Sequence, residues 1–167
     1  MHAVMKNSAF LKCSGFSLLE VLIAVVILAI GLLGLAGLQA TGIRSNHSAY
    51  LRTQATLQSY DIIDRMRANS NADYNNITAA QTAACTGTAG CTPQEMAQND
   101  VFDWNAANGN ILPSGAGVVC IDNTPDDGDS ATNPACDNIA GAPFAVKIWW
   151  VDDREGNVQR FVTSFRP

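Results

Sequence analysis

The most regular pattern along the chain is an apolar run near its start. Residues 16–38 are almost entirely aliphatic, with small residues interspersed. A helix that rises about 1.5 Å per residue would span roughly 34 Å over this run, which is enough to cross the hydrocarbon core of a bilayer. The apolar centre of a secretory signal peptide is shorter, at about 7–15 residues. The pattern therefore predicts a transmembrane helix over residues 16–38.

One charge lies inside this run, the carboxylate of Glu20. An acidic side chain at the centre of a transmembrane helix costs about 2.5–3.5 kcal/mol, and less near an end. A simple membrane anchor gains nothing from that cost, and acidic groups inside membranes are functional by default. The sequence therefore predicts a specific role for Glu20.

The helical pattern continues beyond the membrane-length run. No proline occurs after it until Pro93, and the first cluster of helix-breaking residues is at 69–71. Residues 39–69 are therefore predicted to extend the same helix as an amphipathic segment that packs on a domain. Its apolar stripe contains Leu51, Ala55, Ile62 and Met66.

Residues 116–167 show a β-type pattern. Three runs have the composition and alternation of strands, and a polar turn that contains Gly156 separates the last two. They predict a small antiparallel sheet, and the chain as a whole predicts an α+β fold in which the long N-terminal helix packs on that sheet. The predicted strands cover residues 117–121, 144–151 and 158–165.

The second predicted strand contains two adjacent tryptophans, Trp149 and Trp150. Successive strand residues face opposite sides of a sheet, so both rings cannot enter the same core. We expect Trp149 to be covered by residues 70–115 or to contact another subunit. The face toward the long helix is assigned to Phe144, Val146, Ile148 and Trp150.

Residues 70–115 are rich in Asn, Ala, Thr and Gln and are predicted to be a connecting region. A short helix near residues 93–99 is predicted within it, because Thr92 can cap a helix and Pro93 suits a first turn. Trp104 is expected to hold this region against the helix or the sheet.

The residues that open the apolar run, Gly15-Phe16-Ser17-Leu18-Leu19-Glu20, resemble the processing site of type IV pilins and of type II secretion pseudopilins. The resemblance implies the type IV pilin fold, and a leader of residues 1–15 that a prepilin peptidase removes by cutting after Gly15. It also implies methylation of the new amino terminus at Phe16. In the filament, it implies that Glu20 pairs with the terminal amine of a neighbouring subunit. A buried carboxylate is tolerated when it has such a partner.

The leader carries Lys6 and Lys12 ahead of the apolar run. Positive charge at that position holds the amino-terminal end in the cytoplasm. The expected location is therefore the bacterial inner membrane, as a single-pass protein whose C-terminal domain is periplasmic. After assembly, the resemblance implies a location in the pilus at the cell surface.

The charge balance and the cysteines narrow the range of functions. The chain has 10 Lys and Arg against 15 Asp and Glu, so it is not expected to bind nucleic acid, whose phosphates are neutralised by basic side chains. Cys13 lies in the predicted leader, and the other four cysteines form an even set in an oxidising compartment, which favours two disulfides.

Three pairings of these four cysteines are possible. Short loops close more readily, which favours the sequential pairing. Zinc is disfavoured, because the cysteine spacing does not match a zinc motif and the mature chain has one histidine, His47. No metal or other cofactor is predicted. The favoured disulfides are Cys85–Cys91 and Cys120–Cys136.

The loop between Cys120 and Cys136 is acidic. Oxygen-rich loops can bind calcium, but the spacing of a calcium-binding EF-hand fails here because Pro125 and Pro134 fall at ligand positions. A solvated acidic loop is favoured over a calcium site. The aspartates in and beside the loop are Asp122, Asp126, Asp127, Asp129 and Asp137.

The sequence also lacks the common catalytic motifs, including the nucleophile elbow, the phosphate-binding loop and the zinc-protease helix. An enzyme is therefore not predicted. A membrane-anchored periplasmic binding domain that never assembles is an alternative to a filament subunit.

Within the pilin superfamily, four further segments resemble the minor pilin family of type IV pilus modification proteins, PilV. The resemblance implies a low-abundance subunit that joins other minor pilins and the major pilin on the inner-membrane assembly platform. It would prime pilus assembly, at the filament tip, and support twitching motility and adhesion. A minor pseudopilin of type II secretion is the competing interpretation. The four segments are 31–39, 65–69, 104–115 and 149–152.

Overall fold

The computed structural model describes residues 15–88, 90–153 and 155–166. The chain divides into two compact units, Met1–Arg44 and Ser45–Pro167. The elements, in chain order, are α1 (Leu18–Ala68), α2 (Ala83–Thr86), α3 (Pro93–Ile111), β1 (Ala116–Ile121), β2 (Phe144–Val151) and β3 (Val158–Phe165).

The first unit contains the amino-terminal part of α1. Its large apolar side chains are exposed around the helix, and Phe16 just before it is 81% exposed. The most apolar window of α1 has a mean hydropathy of 3.0 and none of it is buried within the protein. The helix is long and apolar enough to cross a membrane. These features indicate that the helix anchors the protein in a membrane.

The second unit is organised around the remainder of α1. Six residues on one face of this segment are buried, at the spacing of an amphipathic helix. The five apolar ones belong to a single apolar cluster with side chains of β2 and α3. The predicted stripe is therefore the face that enters the core. The buried residues are Leu51, Ala55, Ser59, Ile62, Ile63 and Met66.

The sheet has three antiparallel strands in the order β1-β2-β3. The face of β2 that was assigned to the helix supplies Val146, Ile148 and Trp150 to the core, with Phe144 packed at its edge. This arrangement confirms the predicted α+β class, in which a long N-terminal helix packs on a small antiparallel sheet.

Helix α3 is longer than the sequence analysis predicted. It extends over 19 residues, from Pro93 to Ile111, instead of ending near residue 99. Its buried positions include Ala97, Val101, Trp104 and Asn108, which follow helical spacing. The amide of Asn108 interrupts the apolar pattern and Gly109 follows it, so the second half of the helix has no clear hydrophobic signal in the sequence.

The start of α3 has the cap that the sequence predicted. Thr92 Oγ1 accepts a hydrogen bond from the Glu95 backbone N–H at 3.3 Å, and Glu95 Oε2 accepts from the Thr92 backbone N–H at 2.8 Å. This reciprocal pair is a capping box, with Pro93 in the first turn. The backbone hydrogen bond from Thr92 lowers the pKa of Glu95.

Trp104 fixes α3 between α1 and β1. Its Nε1 donates to the backbone oxygen of Gln58 at 2.8 Å, and the ring is fully buried. The ring lies against the backbone of Gly117, where a Cβ atom would be 2.2 Å from Trp104 Cη2. Gly117 therefore permits a close approach between α3 and the sheet.

Replacing Gly117 with alanine is expected to destabilise the second unit by about 1–3 kcal/mol, because the added methyl group overpacks the contact with Trp104. The measurement is denaturant unfolding of the full chain in detergent. Gly109→Ala is the matched control, since its Cβ would meet its nearest neighbour at an ordinary 3.7 Å. Equal midpoints for Gly117→Ala and the wild type would contradict the packing described here.

Candidate functional site

The start of α1 brings together the residues of the predicted processing and assembly site. Ser17 caps the helix, because its Oγ accepts a hydrogen bond from the Glu20 backbone N–H at 3.2 Å. Glu20 lies in the first turn, where a negative charge interacts favourably with the helix dipole. Gly15 and Phe16 directly precede the helix and are exposed.

The carboxylate of Glu20 is exposed, and within the described parts of the chain it forms no ion pair. It is also surrounded along the helix by exposed apolar side chains. The site therefore presents an exposed carboxylate on an apolar surface. Residues 1–14 of the predicted leader, including Lys6, Lys12 and Cys13, lie outside the described residues.

The structure joins Cys85 to Cys91 and Cys120 to Cys136. The second disulfide starts in β1 and closes the acidic loop, which we define as residues 122–137. The cysteines are separated by 16 positions, and their Cα atoms are 6.2 Å apart. The loop is therefore fastened to the sheet at the point where β1 ends.

Lys147 organises the interior of the acidic loop. It lies in the middle of β2 and its side chain is fully buried. Its Nζ is 2.5 Å from Asp122 Oδ2 and 2.8 Å from Asp127 Oδ1. It also donates hydrogen bonds to the backbone oxygens of Pro134, at 2.8 Å, and of Asp127, at 3.2 Å. The loop is thus folded around an internal ammonium group.

This arrangement changes the interpretation of the acidic loop. The sequence favoured solvated aspartates, but Asp122 is fully buried and paired with Lys147. The ammonium group is surrounded by two carboxylates and two carbonyl oxygens, which are the ligand types that calcium prefers. Asp122 also lies near Cys120 and Cys136, at a spacing that could suit a metal ion. These cysteines supply no thiolate ligands, because their sulfurs form a disulfide. Lys147 therefore fills the position that a cation would need.

A second basic residue of the sheet holds the outer part of the loop. One terminal nitrogen of Arg160 donates to the backbone oxygen of Asp126 at 2.7 Å and to Asp126 Oδ1 at 3.0 Å. The other donates to the backbone oxygen of Gly128 at 2.5 Å. A basic side chain from β2 and one from β3 thus face the same loop.

The loop covers the face of the sheet opposite α1. Trp149 is 4% exposed and lines a cavity of about 320 Å³ together with Asp126, Gly128 and Asp129 of the loop. From the sequence, residues 70–115 or another subunit were expected to cover Trp149. The acidic loop lies there instead, because Lys147 and Arg160 donate hydrogen bonds to its carbonyl and carboxylate oxygens on this face.

The sequence pattern did not predict the roles of Lys147 and Arg160. A signal was present for Lys147, which is the only charge in the apolar run Phe144–Val151. A lysine that is fully buried needs an acidic partner, and the nearby aspartate-rich loop could supply one. Arg160 gives a weaker signal, since it occurs in a strand with polar neighbours.

The pair between Lys147 and Asp127 makes the loop sensitive to acid. The hydrogen bond from Lys147 lowers the pKa of Asp127 from its ordinary value of 3.8. The stability from this shift is fully present above the unfolded pKa and is lost as the pH falls through the lower folded pKa. We expect wild type and Asp127→Asn to differ in unfolding midpoint by a constant amount from pH 7 to 5, and to converge below pH 3.8. A difference that grows on acidification would contradict this coupling.

The C-terminal end of α1 forms a second polar cluster. Arg65 pairs with Asp61 at 3.0 Å and with Asp100 of α3 at 3.4 Å. The hydroxyl of Tyr74 donates to Asp100 Oδ2 at 2.6 Å, and Asn69 Nδ2 donates to that hydroxyl at 3.2 Å. Burial, together with the hydrogen bond to Asp100, raises the pKa of Tyr74. The C-terminal end of α1 is thus partly a buried contact between α1 and α3.

Two further segments that resemble the minor pilin family also have structural roles. The backbone oxygen of Pro113 accepts a hydrogen bond from the Val151 N–H at 2.8 Å, which ties the end of α3 to β2. Asp152 Oδ2 accepts from Ser48 Oγ at 2.8 Å, which ties the end of β2 to α1. These residues therefore maintain the fold, and their contacts do not identify a partner.

Two family models match the amino-terminal part of the chain. Residues 11–36 match the prokaryotic N-terminal methylation motif, and residues 37–102 match the family of type IV pilin Tt1218. Over these residues the chain is therefore similar to type IV pilins. No curated protein and no solved structure matches it.

The matched residues include the predicted processing site, all of α1 and the first half of α3. The methylation motif implies cleavage by a prepilin peptidase and assembly from the membrane. Type IV pilins are structural proteins, which agrees with the interpretation that this chain is not an enzyme. The sheet and the acidic loop lie outside both matches.

Proposed function

We propose that this protein is a minor type IV pilin that co-assembles with other minor pilins to prime the pilus. The observation that carries this proposal is Glu20, an exposed carboxylate in the first turn of an apolar helix whose other large side chains are also exposed. A helix of this kind leaves apolar surface and one charge available for neighbouring helices. In a filament, neighbouring helices would cover the apolar surface, and a terminal amine would pair with the carboxylate.

The proposed mechanism begins with processing. Prepilin peptidase cuts between Gly15 and Phe16 and methylates the new amino terminus. The terminal amine of one subunit then pairs with Glu20 of an adjacent subunit. Lipid and a helical bundle are both apolar, so the transfer of the helix between them is nearly neutral and the charge pair can set the register.

The minor-pilin assignment is supported by the order of the four segments that resemble the PilV family. In this proposal the subunit works with other minor pilins and the major pilin on the inner-membrane platform, at the filament tip, and supports twitching motility and adhesion. The disulfides and the internal Lys147 pair suit a domain that must stay folded outside the cell.

Affinity purification of the full chain from a mild detergent extract tests the partners. We expect other minor type IV pilins to co-purify with the processed chain. Gly15→Leu is the matched control, because the uncut chain retains its leader and should recover at least tenfold less of these pilins. Recovery of type II secretion pseudopilins, or of no pilin at all, would contradict the proposal.

A further inference from the structure

The cavity that Trp149 lines lies between the sheet and the acidic loop. Trp149 and Arg160 are directly opposite each other in the register of β2 and β3, so their side chains share one face of the sheet. Val158 is two residues from Arg160 and lies on the same face. The sheet therefore forms the floor of a cavity of about 320 Å³. The lining residues from the acidic loop are Asp126, Gly128 and Asp129.

The indole of Trp149 brings an unused hydrogen-bond donor to this cavity. The residue is 4% exposed, and its Nε1 is buried without an acceptor among the described residues. A buried indole N–H usually has a hydrogen-bond partner. The donor therefore favours a ligand that carries an oxygen acceptor.

The acidic loop adds acceptors beside that donor. The side chain of Asp126 is 95% exposed, and Arg160 binds its Oδ1. Asp129 is exposed, and its Oδ2 accepts from Asn133 Nδ2 at 3.4 Å. Within the described chain, the other oxygen of each carboxylate forms no hydrogen bond. A hydroxyl group suits this mixture, because it both donates and accepts.

A cation suits the cavity less well than a hydroxyl-bearing ligand. The backbone oxygens of Asp126 and Gly128 are the carbonyl ligands that calcium would need, and both already accept hydrogen bonds from Arg160. The guanidinium group of Arg160 also places a positive charge in the lining. The N–H group of Trp149 has no attraction for a second positive charge. These groups together favour a neutral ligand.

We propose that the cavity binds a neutral hexose, either free or at the end of a glycan. Ring hydroxyls donate to Asp126 and Asp129, and one hydroxyl oxygen accepts from Trp149 Nε1. The C–H face of the sugar packs on Val158, which is 55% exposed. Small-molecule sites commonly measure about 300–1,000 Å³, so this cavity suits one sugar ring. The inference does not depend on the filament role, because all of these residues lie in the second unit.

Titration of the ¹⁵N-labelled full chain with glucose, galactose and mannose tests the proposal. The detergent is a polyoxyethylene alkyl ether, because glycoside detergents carry competing sugars. We expect one of these hexoses to move the indole N–H resonance of Trp149 downfield, with a dissociation constant on the order of 1 mM for a few neutral hydrogen bonds. Loss of this resonance in Trp149→Phe assigns it. Methyl glycosides distinguish the two sources: equal binding indicates a glycan end, and loss of binding indicates the free sugar.

Trp150→Phe is the matched control for Trp149→Phe. Trp150 is adjacent in β2, and its Nε1 is also buried without an acceptor among the described residues, but its ring enters the core on the other face. In calorimetric titrations, Trp149→Phe should bind the hexose at least about tenfold more weakly, and Trp150→Phe should bind as the wild type does. Asp129→Ala changes an exposed position and should weaken binding by about threefold or more.

Three results would overturn the proposal. The first is a Trp149 indole resonance that none of the three hexoses moves. The second is equal hexose affinity of Trp149→Phe and Trp150→Phe, with Asp129→Ala unchanged from the wild type. The third is a response of the Asp126 and Asp129 amides to calcium chloride but to no hexose. None of these outcomes affects the processing or co-purification tests.

Discussion

Glu20→Ala is expected to remove the chain from assembled pili while leaving it processed and folded. The carboxylate is proposed to pair with a terminal amine inside an apolar bundle, and removal of one partner of a buried pair costs about 3–5 kcal/mol. That cost corresponds to at least about a hundredfold in an assembly equilibrium. The measurement compares the amount of the chain in sheared pili with the amount in membranes, together with twitching motility.

Asp64→Asn is the matched control for this experiment. It also removes a carboxylate from α1, but one that is 73% exposed and, within the described residues, pairs with Arg67. We expect it to assemble as the wild type does. If surface pili, twitching and incorporation are all unchanged in Glu20→Ala, the proposed charge pair does not drive assembly.

Lys147→Met is expected to give the largest loss of stability in the second unit. The substitution leaves the fully buried carboxylate of Asp122 without a counter-charge, which costs about 3–5 kcal/mol. The acidic loop should also become accessible to proteases, because four of its groups, two carboxylates and two backbone oxygens, lose their common cationic partner. Denaturant unfolding and limited proteolysis of the full chain in detergent measure these effects.

Two further variants separate burial from charge. Arg160→Met removes an ion pair in which Asp126 is 95% exposed, so it should cost no more than about 1 kcal/mol. Asp122→Asn combined with Lys147→Met removes both charges. The double variant should therefore recover part of the stability that Lys147→Met alone loses. If Lys147→Met is no worse than Arg160→Met, the loop is not held by its internal ammonium group.

The sequence predicted those elements in which apolar residues recur at a regular spacing or form a continuous run. The uninterrupted apolar run and the buried stripe predicted α1, an apolar β-type run predicted β2, and alternation predicted β3. Thr92 and Pro93 predicted where α3 begins. Its second half was not predictable, since the buried Asn108 and the adjacent Gly109 remove the hydrophobic signal. Asn108 is fully buried, and a hydrophobic pattern does not predict the burial of an amide side chain.

The candidate site was predictable to different degrees. Gly15, Phe16 and Glu20 are adjacent in sequence, so their proximity needs no fold. Lys147 and Asp122 are far apart in the chain and meet only because β1 and β2 pair and the disulfide returns the loop to the sheet. The covering of Trp149 depends on strand order and register, which alternation alone does not give.

If this chain is a processed subunit of a pilus, sheared pili must contain its mature form. The most direct test is intact mass spectrometry of the chain recovered from sheared pili. We predict a chain that begins at Phe16, carries one methyl group at its amino terminus and retains both disulfides. A chain that still begins at Met1 and occurs only in the membrane fraction would contradict the account.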